Sequence, residues 1–267
     1  MSSSSLDLSG CDLFKLEVGN DGDLIAFSET AGPETFSLVG ITSLDCSSNG
    51  LTSLPLLPEG VKELDCSDNQ ITVLSLPKGL EVLNCSLNLL TNLPSLSEGL
   101  RELDCSINRI RGLPILPESL EILYCYDNKL TSLPRLPDGV KKLDCSDNRL
   151  ADLPLLPEGL KELYCSGNRL TNISLLSKEL ENLVCCGNQI IGMTLLSESL
   201  EMLHCYDNPL KYVPFFRKMP QNLSVPEFMV ENYSEENYQE GYRKQEISRY
   251  LALTFFTELG LQLDFLG

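Results

Sequence analysis

The sequence predicts a solenoid, a curved stack of short coils in which each coil gives one strand to a parallel sheet. Three observations predict it. The wording L-x-x-L-x-C-x-x-N-x-L-x-x-L-P-x-L-P-E-G returns along the chain, with units beginning at Ile41, Val61, Leu80, Leu100, Leu120, Val140, Leu160, Leu180 and Leu200. The step is 20 residues, except for one of 19 between Val61 and Leu80. One Asn keeps its place in every unit: Asn49, Asn69, Asn88, Asn108, Asn128, Asn148, Asn168, Asn188 and Asn208. A period of this length marks architectures in which a single unit cannot bury its apolar side but a stack can.

Composition sets the limits. The chain has 267 residues, 42% of them hydrophobic, with no Trp and few aromatics, so the core must be built mainly of Leu. The formal net charge of −18 argues against nucleic acid and anionic membranes, both of which require a basic footprint. It is compatible with steering toward a basic partner. Met1 is followed by Ser2 to Ser5, Leu6 and Asp7, with neither a basic nor an apolar leader, so no secretory signal peptide is expected. An intracellular, reducing compartment follows, which is the host cytoplasm if the protein is a secreted effector. The nearest approach to a membrane span, Tyr250 to Leu266, is broken by Glu258 and Asp264.

Taken in order, the elements justify themselves. "LDLSGCDLFKL", Leu6 to Leu16, repeats the wording loosely, so residues 1–40 are expected to be an N-terminal cap holding a divergent repeat or two. "GNDGD", Gly19 to Asp23, reads as a turn; its acids do not have the spacing of a calcium loop. Residues 41–214 hold nine units. In each, a stretch such as "ELDCS" alternates, sending Leu64 and Cys66 inward and Glu63, Asp65 and Ser67 outward. Nine parallel strands would span about 40 Å. The Asn stands where the chain leaves the strand, and its amide can bond the backbone of its own and the neighbouring coil. The "LPxLP" segment is too rich in Pro for a helix and is expected to run as extended or polyproline-like chain on the convex side. Residues 215–267 are expected to form a helical cap. Ser224 and Pro226 mark a helix start, and Ile247, Tyr250, Leu251, Phe255 and Leu259 lie at helical spacing on one face.

This wording is that of a leucine-rich repeat, the α/β-class horseshoe. The twenty-residue unit and its "LPxLPxxLxxLxC" phrase resemble the bacterial LPX-type leucine-rich-repeat effectors, the group of IpaH- and YopM-like repeats. Similar Cys-containing repeats occur in some giant-virus proteins. The resemblance covers roughly Ile41 to Pro214. It departs from the group at one column, which is Cys here and commonly Val or another aliphatic there. IpaH-like ligases carry a catalytic domain with a nucleophilic Cys after the repeats; no Cys follows Pro214 here.

The cysteines suggest metal, redox or nucleophile chemistry, and the spacing argues against each. Cys46, Cys66, Cys85, Cys105, Cys125, Cys145, Cys165, Cys185 and Cys205 form one inward column with no clustered ligand spacing, so no metal and no cofactor is expected. Parallel side-chain vectors and the absence of a leader argue against disulfides. Free Cys packs as a small hydrophobe. Cys186 is the exception, expected to face outward as an exposed thiol, with His204 one unit away.

Function is therefore sought on the outward strand positions. The middle column runs Asp45, Asp65, Asn84, Asp104, Tyr124, Asp144, Tyr164, Val184 and His204. The next runs Ser47, Ser67, Ser86, Ser106, Tyr126, Ser146, Ser166, Cys186 and Tyr206, and the preceding one Ser43, Glu63, Val82, Glu102, Ile122, Lys142, Glu162, Asn182 and Met202. Tyr124, Tyr126, Tyr164, Val184, Met202, His204 and Tyr206 make an aromatic zone of the type enriched in protein interfaces. Asp65, Asp104 and Asp144 are expected to guide a partner with a basic surface. Arg109, Lys129, Arg149 and Arg169 form a line at the rim and are read first as balancing nearby acids such as Asp147. With no phosphate loop, metal motif or triad, the expected function is non-enzymatic. The protein is expected to be a monomeric protein–protein interaction module, an effector that binds a host protein through the concave face. The alternatives are an endogenous intracellular scaffold and a thiol-reactive enzyme or sensor using Cys186.

Overall fold

In a computed structural model that describes residues 4–173, 176–193, 196–211 and 221–224, the chain winds into a parallel-strand solenoid. Strand β1 (Ser4–Asp7) begins the stack. A hairpin insertion follows: β2 (Leu13–Val18), β3 (Leu24–Ser28) and β4 (Glu34–Phe36). The coils then contribute β5 (Ile41–Asp45), β6 (Glu63–Asp65), β7 (Val82–Asn84), β8 (Glu102–Asp104) and β9 (Ile122–Tyr124). They continue with β10 (Lys142–Asp144), β11 (Glu162–Tyr164), β12 (Asn182–Val184), β13 (Met202–His204) and β14 (Asn222–Ser224). The main sheet has 11 strands in the order β1-β5-β6-β7-β8-β9-β10-β11-β12-β13-β14, and β2-β3-β4 form a separate antiparallel sheet.

Register is kept by the leucine of each strand: Leu44 pairs with Leu64, Leu64 with Leu83, and so on to Leu203 with Leu223. The 19-residue step does not disturb it. The missing residue is taken from the Pro-rich side, where "PLLPEG" of the sixth coil is matched by "SLPKG" in the second. The leucine and cysteine columns are buried together with a third column that follows each Asn (Leu51, Ile71, Leu90, Ile110 and onward). Among the described residues no helix is assigned, and the Pro-rich segments run without regular structure. Their alternate positions point to solvent, as at Leu56, Ile115 and Leu155, while Leu57, Leu116 and Leu156 face the core.

The Asn column does what its position predicts. Asn128 Nδ2 donates to the carbonyls of Cys105, Cys125 and Tyr126 at 3.0, 3.3 and 3.2 Å, and its Oδ1 accepts the Ile110 N–H at 2.9 Å. The same set recurs from Asn49 to Asn208. One side chain thus satisfies four backbone groups across two coils, in a turn that has no ladder of its own. Just before it the backbone is left-handed in every coil: Ser48, Asp68, Leu87, Ile107, Asp127, Asp147, Gly167, Gly187 and Asp207 have φ between 48° and 61°.

The two ends differ from the regular coils. At the start, a single divergent coil is present, with Leu8 buried in the place of the column cysteine, followed by the antiparallel sheet rather than a second repeat. Cys11 takes the Asn place of that coil and is exposed, since no earlier coil requires its bonds. The "GNDGD" turn is present, closed by the Gly19 N–H to the Asp23 carbonyl at 2.9 Å. At the other end the sheet runs past Pro214. Leu223 lies twenty residues after Leu203 and keeps its column, so Ser224 ends a strand of the sheet. The helix expected beyond it lies outside the described residues.

Candidate functional site

The outward columns divide into local and free groups. Asp45, Asp65, Asp104 and Asp144 each accept, on Oδ1, the N–H of the Ser two residues on, at 2.9, 2.9, 2.9 and 3.0 Å. Asn84 does the same for Ser86 at 3.2 Å. This bond turns the chain out of the strand, as Asx side chains do elsewhere. One oxygen of each carboxylate is therefore structural. Asp65 uses its second oxygen as well, accepting from Asn84 Nδ2 at 2.9 Å. Tyr124, Tyr164, Val184 and His204 have no short acceptor for that bond, and their side chains are released to the concave face.

There the structure assembles a cluster on β9, β10 and β11. Register sets Lys142 between Ile122 and Glu162, and Asp144 between Tyr124 and Tyr164. Lys142 Nζ lies 5.4 Å from the Tyr124 ring centroid and 5.7 Å from that of Tyr164, within cation–π range of both. It pairs with Glu162 at 2.9 Å, and the Tyr164 hydroxyl donates to the same carboxylate at 3.1 Å. The Glu162 bond holds the Lys142 ammonium above the usual lysine range, against the opposing effect of burial. Burial pushes the Tyr164 phenol up, and the Glu162 carboxylate adds to it. Burial also raises Tyr126, helped by the Asp104 and Asp144 carboxylates on either side. Asp144 itself is raised by burial, opposed by its bonds from Ser146.

Of the residues singled out from the sequence, Asp104, Tyr124, Tyr126, Asp144 and Tyr164 are brought together here. Asp65 is not; it stands on β6, three coils before β9, tied to Asn84. Val184 and His204 continue the Tyr164 row as direct strand partners. Met202 lies half-buried beside them, and Tyr206 is exposed. His204 Nε2 donates to Asn222 Oδ1 at 3.1 Å. Lys142 and Glu162 were absent from the sequence-based site, although Lys142 is the sole cation in the three outward columns, a signal that could have found it.

Cys186 requires a correction. Expected as an exposed thiol, it is 5% exposed. Its N–H bonds Ser166 Oγ at 3.1 Å, and the Tyr206 side chain of the next coil reaches it. A small Ser on one side and a long Tyr on the other let the neighbours close over a residue that alternation alone would leave in solvent. Burial pushes its thiol up, opposed by bonding to Tyr206 and Ser166, and a buried protonated thiol is a poor nucleophile. The nine column cysteines are free and buried, and burial raises every one. Among the described residues no group of His, Cys, Asp or Glu could hold a metal ion, and no helix is long and apolar enough to cross a membrane.

No protein-family model and no curated protein sequence matches the chain. Solved structures do. YopM from Yersinia enterocolitica WA-314 is 40% identical, with a TM-score of 0.66, over 70% of this chain and 41% of its own. The leucine-rich-repeat domain of a Shigella effector is 27% identical, with a TM-score of 0.53, over 70% of this chain and 82% of its own. The chain thus spans about two fifths of the length of that YopM. Both likenesses carry the repeat type as well as the fold.

Proposed function

From a chain that is a leucine-rich-repeat protein, with coils of the bacterial effector type, we propose a protein–protein interaction module that binds a host protein through its concave face, in the manner of a secreted effector. The observation that carries this is the Tyr124–Lys142–Tyr164 cluster: two aromatic rings held in place by a shared cation and by Glu162. Rings fixed before binding lose little conformational freedom on contact, and this favours affinity. Around the cluster the three outward columns hold Asp45, Glu63, Asp65, Glu102, Asp104, Asp144 and Glu162 against Lys142 alone. The partner that fits is a protein with a basic surface and apolar groups at its centre. The protein acts as a monomer in a reducing compartment, where its cysteines remain thiols, and it performs no catalysis. Affinity capture from host lysate, compared between the natural chain and a Tyr124→Ser/Tyr164→Ser/Tyr206→Ser variant, tests the assignment. The variant is expected to keep its far-UV circular dichroism and thermal midpoint and to lose the captured partner. Undiminished capture sinks the proposal.

A further inference from the structure

The two rims of the sheet are built on opposite electrostatic plans. At the strands' N-terminal ends the residues Lys62, Glu81, Arg101, Glu121, Lys141, Lys161 and Glu181 largely alternate in sign. Six of the seven close in pairs, Lys62 with Glu81 at 3.0 Å, Lys141 with Glu121 at 2.6 Å and Lys161 with Glu181 at 2.8 Å, and Arg101 alone has no ion pair among the described residues. At the other rim, directly after the Asn column, four consecutive coils carry Arg109, Lys129, Arg149 and Arg169. Arg109, Arg149 and Arg169 are exposed and Lys129 is half-buried. Among the described residues none of the four makes an ion pair or a side-chain hydrogen bond. The expectation that they balance Asp147 is not met. Left-handed backbone turns that carboxylate along the stack, over Gly167, where an added Cβ would clash with its Oδ1.

Like charges about 5 Å apart repel, and on a chain that easily pairs its other rim nothing in the fold requires them. We propose that this rim is a second interaction surface, distinct from the concave cluster, that takes an acidic segment of a protein partner in extended conformation. The dimensions match. Four coils span about 15 Å, and an extended chain presents same-side residues about every 7 Å, so three alternating carboxylates lie along the four cations. Three of the four cations are arginines, whose planar fork suits carboxylates. A long polyanion fits less well. The chain's −18 charge repels phosphates that extend beyond the row, whereas a short segment stays within about one screening length of it.

Fluorescence anisotropy with a labelled short peptide of alternating Glu and Thr, at low salt, is the test. Binding is expected to weaken about tenfold or more in an Arg109→Gln/Arg149→Gln/Arg169→Gln variant and to disappear near physiological salt. A Lys62→Gln/Lys141→Gln/Lys161→Gln variant removes the same charge from the paired rim and is expected to change affinity by less than about twofold. The Tyr124→Ser/Tyr164→Ser/Tyr206→Ser variant is expected to bind the peptide normally, which separates this surface from the concave one. No binding by the natural chain overturns the proposal, as does equal weakening by both charge variants. Single-stranded DNA of equal charge binding more tightly than the peptide at this rim would also overturn it.

Discussion

At the residue scale, one position per coil is set by backbone geometry rather than by packing. The residue before each Asn is left-handed, and Asp, Ser or Gly meets that demand in most coils. Leu87 and Ile107 do not, and a β-branched residue at φ 52° is strained. Ile107→Asn is expected to stabilise the protein by about 1 kcal/mol, read as a higher urea midpoint at unchanged slope. An unchanged midpoint would remove the strain argument. The neighbouring column gives the opposite result. Asn128→Ala strips partners from the Ile110 N–H and from the carbonyls of Cys105, Cys125 and Tyr126. A loss of about 3 kcal/mol is expected, with a fall in thermal midpoint; a loss under about 1 kcal/mol would mean that water takes over those bonds. The Asn column was legible in the sequence because it repeats. The left-handed residue beside it was legible only in part: Asp, Ser or Gly signals it in seven coils, while Leu87 and Ile107 give no turn signal in the other two.

At the scale of the single coil, inward and outward positions obey different rules. Inward, each strand repeats Leu and Cys because each coil must fit the next. Outward, an Asp serves its own turn first, and only its replacement by Tyr124 or Tyr164 frees a side chain for the concave face. Alternation therefore sets the tyrosines on the outward side but is incomplete for three residues. It places Lys142 and Glu162 outward without joining them to the tyrosines, a link that comes from register between β9, β10 and β11, across 20 residues of sequence. It also exposed Cys186, which Tyr206 and Ser166 from adjacent coils bury. Both have one cause. A strand's own pattern gives the side on which a residue lies but not the size of the side chains next to it in the stack.

At the scale of the whole molecule, the stacked thiols make stability depend on alkaline pH. Burial pushes Cys46 and Cys205 up to about 12 and the seven between them well above the ordinary thiol range. Their folded values are raised, so the stabilisation is complete below the unfolded thiol value of about 8.5 and is lost as pH rises past it, where only the unfolded chain releases protons. Each thiol removes about 1.4 kcal/mol per pH unit in that window. Summed over the column, this exceeds the stability of an ordinary domain, and unfolding is expected near pH 10 in reducing buffer. Far-UV circular dichroism against pH follows it, and Cys105→Ala/Cys125→Ala is expected to flatten the slope. A natural chain that is stable to about pH 10.5 would refute the account.

The sequence by itself determined the solenoid, its strand positions, its inward columns and the work of the Asn, because each of these is a demand made identically by every coil and so is written again in each. The tertiary structure alone decided what neighbouring coils do to one another where they differ. It sets Lys142 between two tyrosines, buries Cys186, inserts an antiparallel sheet after the first coil, and leaves one rim largely paired and the other a row of cations that have no ion pair among the described residues. Those outcomes depend on distances between residues far apart in the chain, and no single coil contains them.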